Sequence, residues 1–361
     1  MPFRFGLIGA GVAAEIHVPA MRRVPDVQVV AIADTNLARA DAVAKQFDIP
    51  RVYESTEALL TGTPVDAVAI LTPHHLHLPA VMAAARAGAH VLVEKAMAHT
   101  VAAADEMIEI CRAHAVTLAG IFQNRFTPAA RALREAVQGR SLGRIFLASV
   151  SVKLRRSAEY YQGAPWRGRR DEAGGGVLMI QAIHTLDLLQ WVMGMPRRVL
   201  ARTATVLHSV EVEDVAVGLL EWDTGAVAVL QATTGAAVES PPELEIHGDR
   251  GTAATFDNRG DLAFWCSSPD RPSSLPERWR LYTAHYREQA ALGPSQATAE
   301  PHAEQIRDFV TAVREGRPPL VDGAEARKAL VIVEALYRSA RTGQWVELNR
   351  SGETRNAEDL S

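Results

Sequence analysis

Six residues near the start, Gly9-Ala10-Gly11-Val12-Ala13-Ala14, constrain the fold of this chain more than any others. They lie between an apolar strand-like run, Phe3–Ile8, and an amphipathic stretch reaching Arg23. In G-x-G-x-x-G/A after a strand and before a helix, the first glycine makes the tight turn. The second lets backbone approach a pyrophosphate, and the small sixth residue lets helix and strand pack closely. The helix that follows presents unbonded N–H groups and the positive end of its dipole to an anion. The pattern acquires weight from Asp34, which ends the next strand-like run 20 residues after Ala14, where a carboxylate would bind ribose hydroxyls. Gly9, Gly11, Val12, Ala13 and Asp34 are therefore the expected contacts of a dinucleotide. A carboxylate there repels a 2′-phosphate, so NAD is expected over NADP. Arg39, a turn further on, keeps NADP open as the alternative.

The rest of the first third repeats the theme. Val27–Ala33, Val65–Leu71, His90–Val93 and Val116–Phe122 are apolar runs separated by helical patterns, among them an alanine-rich stretch from Leu37 to Phe47. Near-continuous apolar strands between helices indicate a buried parallel sheet with helices on both faces. After Phe122 the pattern changes. A helix over Pro128–Val137 leads to a strand, Arg144–Val152, and Gly174-Gly175-Gly176 opens a helical stretch ending near Gly194. Strand-like runs then follow closely, Val199–Val206, Val215–Trp222, Ala226–Thr233, Leu244–His247 and Thr252–Phe256, with hairpin turns at Asp223-Thr224-Gly225 and Gly248–Gly251. Residues 267–300 read as a long loop, and helices are expected over His302–Glu315 and Ala324–Thr342. The fold class is thus α/β: an N-terminal Rossmann domain, a doubly wound parallel sheet, over 1–122, then an α+β domain with a largely antiparallel open sheet over 123–349. Residues 350–361 read as a flexible tail.

Composition excludes several classes. With 48% hydrophobic and 22% charged residues among 361, the chain can build sizeable cores, and a formal charge of −4 provides no basic field for nucleic acid. Cys111 and Cys266 form no CxxC, which argues against a disulfide framework or zinc site and fits a reducing cytoplasm. The N-terminus carries no signal-peptide pattern, and no apolar run reaches the roughly 18 residues that span a bilayer. No membrane partner and a cytoplasmic location are expected.

A second group of residues collects at predicted strand ends, where open α/β sheets bind ligands. Thr72-Pro73 is followed by His74, His75 and His77, an HHxH trio that lacks a carboxylate or cysteine and is a poor metal signature. No metal is expected. Glu94-Lys95 ends the following strand. A lysine there can polarise a hydroxyl or exchange a proton, or it can form an ordinary surface ion pair.

With these residues in place, the chain resembles the glucose-fructose oxidoreductase / inositol dehydrogenase / rhizopine catabolism (Gfo/Idh/MocA) family over nearly its whole length. The resemblance rests on the glycine turn with His17 after it, Thr72-Pro73…His77, and Ala87–Lys95. It extends through Asn124-Arg125-Phe126, Trp166-Arg167, Gly174–Gly176, His184-Thr185-Leu186-Asp187 and Gly316–Gly323. It implies an NAD(P)-dependent dehydrogenase acting on a secondary hydroxyl of a sugar, polyol or related cyclic compound, and a homodimer or homotetramer built on the second domain. It also implies cofactor contacts at Thr72, Pro73, His77, Glu94, Lys95, Trp166 and Arg167. Matching assigns catalysis to Lys95 and His184, and substrate contacts to Lys95, Arg125, Ile180, Gln181 and His184. Ala96 stands where the family has proline after the lysine. Ile180 stands where it has an aspartate four residues before the histidine; on an α-helix that position shares a face with His184, and a hydrocarbon there accepts no proton. Histidine, with an ordinary pKa of about 6.5, is the natural general base, and Lys95 the donor to the developing oxyanion. Two alternatives stay open: NAD-dependent glycoside cleavage, and a non-catalytic NAD-binding sensor. Lys153, Arg155, Arg156, Arg167, Arg169 and Arg170 crowd one stretch and would suit an anionic substrate or a solvated face.

Overall fold

The computed structural model describes residues 1–256, 261–265 and 294–348. The chain forms two compact units, Met1–Gln123 with Pro294–Arg327, and Asn124–Gly293 with Lys328–Ser361.

The first unit is built on six parallel strands: β1 (Phe3–Ile8), β2 (Val27–Ala33), β3 (Val52–Tyr53), β4 (Ala67–Ile70), β5 (His90–Val93) and β6 (Leu118–Gly120). Their order is β3-β2-β1-β4-β5-β6, so the chain reverses direction of travel across the sheet between β1 and β4. That is the switch point where open sheets bind ligands. β4 has no exposed residue, every side chain of Ala67–Ile70 being fully buried, which is why it reads as a continuous apolar run. The helices are α1 (Val12–Arg22), α2 (Leu37–Gln46), α3 (Thr56–Gly62), α4 (His77–Arg86) and α5 (Val101–Ala113). Asn36, Ser55 and Thr100 cap α2, α3 and α5 by accepting from backbone N–H groups three residues on. Cys111 lies buried on α5, its thiol pushed up to about 12 by burial; Cys266 lies outside the described residues.

The second unit contains α6 (Pro128–Gln138), β7 (Ile145–Lys153), α7 (Ala158–Gln162), α8 (Arg170–Ala173), a π-helical turn over Leu178–Ala182 and α9 (Ile183–Met193). Strands β8 (Arg198–Ala204), β9 (Val215–Glu221), β10 (Val227–Thr233), β11 (Glu243–Gly248), β12 (Gly251–Phe256) and β13 (Asp261–Trp265) follow. After α10 (Pro294–Glu315) and α11 (Gly323–Thr342), β14 (Val346–Glu347) completes an eight-stranded sheet, β13-β12-β11-β7-β10-β9-β8-β14. The strand pairs described are antiparallel except β7 with β10. Along β9 and β10, Ala216, Leu220, Ala228 and Leu230 point to the core while Val217, Leu219, Val227 and Val229 are 37–48% exposed. One face of this sheet is therefore apolar and open.

Three expectations differ from what is observed. The segment read as loop to residue 300 is helical from Pro294; residues 266–293 and the proposed tail lie outside the described residues. The 123–349 assignment also differs, because Ala299, Ala303, Ile306, Phe309 and Val310 of α10 join Phe5, Leu7 and Met21 in the first unit's core. Burial of an aromatic such as Phe309 is worth about 1.5–3 kcal/mol, and polarity patterning along the chain does not reveal which core receives it. Finally, Arg170–Met193 is long and apolar enough to cross a membrane, but 89% of its apolar window is buried within the protein. It is a core stretch that passes the composition test.

Candidate active site

At the end of β1 the backbone turns through Gly9 at φ +105°, and a Cβ there would lie 2.9 Å from the carbonyl carbon and oxygen of Leu71. Only glycine meets both demands. Gly11 is the N-cap of α1 without any side-chain cap, and a Cβ built on it would project into open space. Ala14 is fully buried in the core, Val12 is exposed and Ala13 half-buried. An uncapped helix N-terminus facing an open cradle suits an anionic group.

Asp34 is 8% exposed and accepts four hydrogen bonds from three donor groups. Oδ2 accepts from the Ala10 N–H at 2.8 Å, Oδ1 from the Asn36 N–H at 2.8 Å, and Arg39 reaches both at 2.8 and 2.9 Å. Burial raises the Asp34 carboxyl, but Arg39 and the two backbone donors outweigh it and keep it below the usual range. Arg39, on α2, is thus brought directly onto this carboxylate. Nearby, the Thr72 Oγ1 is buried without a hydrogen-bond partner among the described residues. The uncapped turn, the anchored Asp34 and this orphan hydroxyl fit a dinucleotide.

His77 is fully buried, its ring nitrogens 2.8 Å from the Thr72 carbonyl and 3.1 Å from the Met97 carbonyl. Burial holds its pKa down, against the pull of those carbonyls. It clamps the loops after β4 and β5 together and has no surface for a cofactor, which corrects the contact expected of it; Thr72 and Pro73 are half-buried in the loop it holds. At the end of β5, Glu94 Oε1 lies 2.7 Å from His17 Nε2, and Oε2 accepts from the Lys95 N–H at 3.0 Å. Lys95 is half-buried, and the peptide to Ala96 is cis. The metal-compatible group among the described residues is His17, Glu94 and His302, not the HHxH trio.

In the second unit the three glycines answer to three constraints. Gly174 has φ +81°, a Cβ on Gly175 would lie 1.9 Å from the Tyr337 hydroxyl, and one on Gly176 would lie 1.9 Å from the Glu213 carbonyl oxygen. Glu213 then accepts from the Gly176 and Leu178 N–H groups at 2.9 and 3.0 Å and from Tyr337 at 2.7 Å. This anchors the start of the helical stretch carrying Ile180, Gln181 and His184. Ile180 and His184 are 8% and 9% exposed. Because Leu178–Ala182 is a π turn, the α-helical spacing argument relating Ile180 to His184 does not carry through unchanged; π turns recur at functional sites. The Gln181 amide donates to the Tyr160 hydroxyl at 3.1 Å, and its Oε1 is buried without a partner among the described residues. Arg167 stacks over Tyr160 at 4.3 Å and lies 5.8 Å from the Trp166 ring. Gln181 and Arg167 therefore meet at Tyr160, a residue no motif announced, with the Trp166 ring beside Arg167.

Arg125 departs from its expected role. It is fully buried, with Nε and an Nη donating to Asp187 at 2.8 and 2.6 Å, and Trp191 lies 5.6 Å from its guanidinium. A buried pair of this kind orders its own unit rather than receiving a solute. Of the basic stretch, Arg156 pairs with Glu239, Arg169 with Glu172, and Arg170 donates to the Glu211 carbonyl.

Comparison with known proteins identifies this arrangement. Residues 3–122 match the oxidoreductase family with an NAD-binding Rossmann fold, and residues 130–254 the GFO/IDH/MocA C-terminal domain. The chain is 30% identical to D-xylose 1-dehydrogenase (NADP(+)) 2 of Haloferax volcanii, over 96% of its own length and 99% of that protein. The chain belongs to the Gfo/Idh/MocA oxidoreductase family. D-apiose dehydrogenase of Paraburkholderia graminis is 29% identical over 96% of this chain and 90% of the relative. Among solved structures of the family, the WlbA dehydrogenase from Bordetella pertussis in complex with NADH and UDP-GlcNAcA superposes with a TM-score of 0.88 at 29% identity, covering 96% and 98% of the two chains. Family membership makes the protein a nicotinamide-dependent oxidoreductase acting on CH–OH groups.

Proposed function

We propose that the protein oxidises a secondary hydroxyl of a sugar, polyol or related cyclic compound, with sugars bearing a carboxylate or phosphate included in its range. The observation that carries this reading is the end of β5, where the partly buried Glu94 carboxylate accepts from the Lys95 N–H. When bound, NAD supplies the acceptor for the carbinol hydride. His184 takes the hydroxyl proton, and Lys95 donates a hydrogen bond to the oxygen as it becomes a carbonyl. With hydrocarbon at Ile180, the polar contact at that turn falls to Gln181, whose Oε1 is available to accept from a substrate hydroxyl. The anionic range is supported by UDP-GlcNAcA, the ligand of the related WlbA dehydrogenase. The assembly in this reading is a homodimer or homotetramer, formed through the open face of the second unit's sheet.

Positioned acid–base groups contribute about 10²–10⁴-fold to rate. Lys95→Ala and His184→Ala should each lower turnover by that order, while the NADH dissociation constant of His184→Ala stays near wild type. Steady-state kinetics with calorimetric NADH titration checks this; wild-type turnover in both variants would remove the assignment.

A further inference from the structure

The first unit holds a largely buried polar cluster around Glu94, whose two histidines the chemistry above does not use. His17 on α1 is 0% exposed and His302 on α10 is 5% exposed, their rings edge-on at 5.2 Å. With Glu94 they bring three ligand-type atoms within 4.8 Å of one another. Both Glu94 oxygens are engaged, Oε1 by His17 Nε2 at 2.7 Å and Oε2 by the Lys95 N–H at 3.0 Å. An ionised carboxylate only accepts, so His17 Nε2 carries the hydrogen.

The groups that face this carboxyl are His17 from α1, His302 from α10 and Lys95 beside it; His77 on α4 also feels its charge. All four are bases. Burial alone would raise the Glu94 carboxyl, yet the His17 hydrogen bond and the charges of His17, Lys95 and His302 hold it far below the usual range. A partly buried negative charge is thereby made permanent next to the amine that the reaction needs. The Lys95 charge is one of those that lower the Glu94 carboxyl, and a neighbouring opposite charge in turn favours the protonated amine, the form that donates to an oxyanion.

We propose that His17 and Glu94 are positioning residues for Lys95: His17 fixes the Glu94 carboxylate, and Glu94 holds the Lys95 backbone and keeps its amine protonated. His302 packs edge-on against the His17 ring. The inference rests on the reading of Lys95 as the donor to the reacting oxygen. The same three side chains also make a two-histidine, one-carboxylate set, but a metal would have to displace the hydrogen on His17 Nε2.

The test needs no substrate. Trinitrobenzenesulfonate labels only neutral amines, so its rate at Lys95, read by mass spectrometry of the peptide across a pH series, gives the midpoint of amine deprotonation in the full chain. Glu94→Gln should lower that midpoint by about one pH unit, which is about tenfold faster labelling at a fixed pH below both midpoints, and His17→Ala, which leaves the carboxylate charged but frees it to turn from the amine, should lower it by less. His17→Gln, which retains an N–H donor, should return the midpoint toward wild type, an outcome that a purely structural role for His17 does not predict. Thermal melts identify variants that fold; should His17→Ala unfold, the near-isosteric Glu94→Gln decides. An unmoved midpoint in folded Glu94→Gln, or stoichiometric metal in the purified wild type that is lost with His17, overturns the proposal. Turnover of Lys95→Ala separates the two levels. Full activity there removes the reading of Lys95, whereas an inactive Lys95→Ala with an unmoved Glu94→Gln midpoint removes only the role of His17 and Glu94.

Discussion

Four hydrogen bonds converge on the Asp34 carboxylate, two from backbone N–H groups and two from one Arg39 Nη. An ionised carboxylate offers about four lone-pair sites, so ribose hydroxyls reach Asp34 only when Arg39 lets go. The Arg39 side chain is 52% exposed, and surface pairs are worth about 0–1 kcal/mol, so release costs little. Once released, Arg39 remains a cation beside the ribose subsite. NADH should still bind more tightly than NADPH, by about tenfold or roughly 1.4 kcal/mol, because the buried carboxylate cannot retreat from a 2′-phosphate. Asp34→Ala should narrow that gap, and Arg39→Ala should weaken NADPH more than NADH. Isothermal titration giving equal or tighter NADPH binding to wild type would reject the preference. Gly9 and Asp34 were legible because their chemistry is local: a turn, and a fixed spacing from it. His77 and Arg125 were not, because a motif says which residue stands at a position, while only tertiary packing decides whether it meets solvent.

The strands were legible as elements because both of their signals are short-range, near-continuous apolar runs in the first unit and alternation around hairpin turns in the second. The two-residue β3 escaped notice because it carries too few residues for a pattern. The π turn at Leu178–Ala182 escaped for another reason: it is set by the anchoring of Gly176 and Leu178 to Glu213, a residue more than thirty positions away. Gly-Gly-Gly was visible, but Tyr337 and Glu213, which exclude any Cβ there, were not. The open sheet carries its own expectation. Val229 lies opposite Leu219 and Val227 opposite Leu147 across adjacent strands, giving a continuous apolar face of the kind that marks an interface. Light scattering at micromolar concentration should therefore find a dimer or tetramer, shifted toward monomer by Leu219→Lys with Val229→Lys. A wild-type monomer would contradict the assembly.

At the scale of the whole chain, the order of segments does not follow the division into cores. Pro294–Arg327 returns to the unit that Met1–Gln123 began, bringing His302 to His17 and Glu94 and adding Phe309 to the core. A boundary read from changing pattern is blind to that return, since an amphipathic helix shows an apolar stripe but not its recipient. The central claim, nicotinamide-dependent oxidation of a sugar-type hydroxyl, concerns the protein as a unit, and one measurement addresses it directly. Purified protein is mixed with NAD, and separately NADP, against a panel of aldoses, polyols, uronic acids and nucleotide-linked sugar acids, and release of reduced cofactor is followed. The account predicts stoichiometric NADH and oxidised product with at least one panel member, and loss of the signal in Lys95→Ala. Sugar released from a glycoside with no net NADH, or NADH binding with no turnover of any panel member, would contradict it.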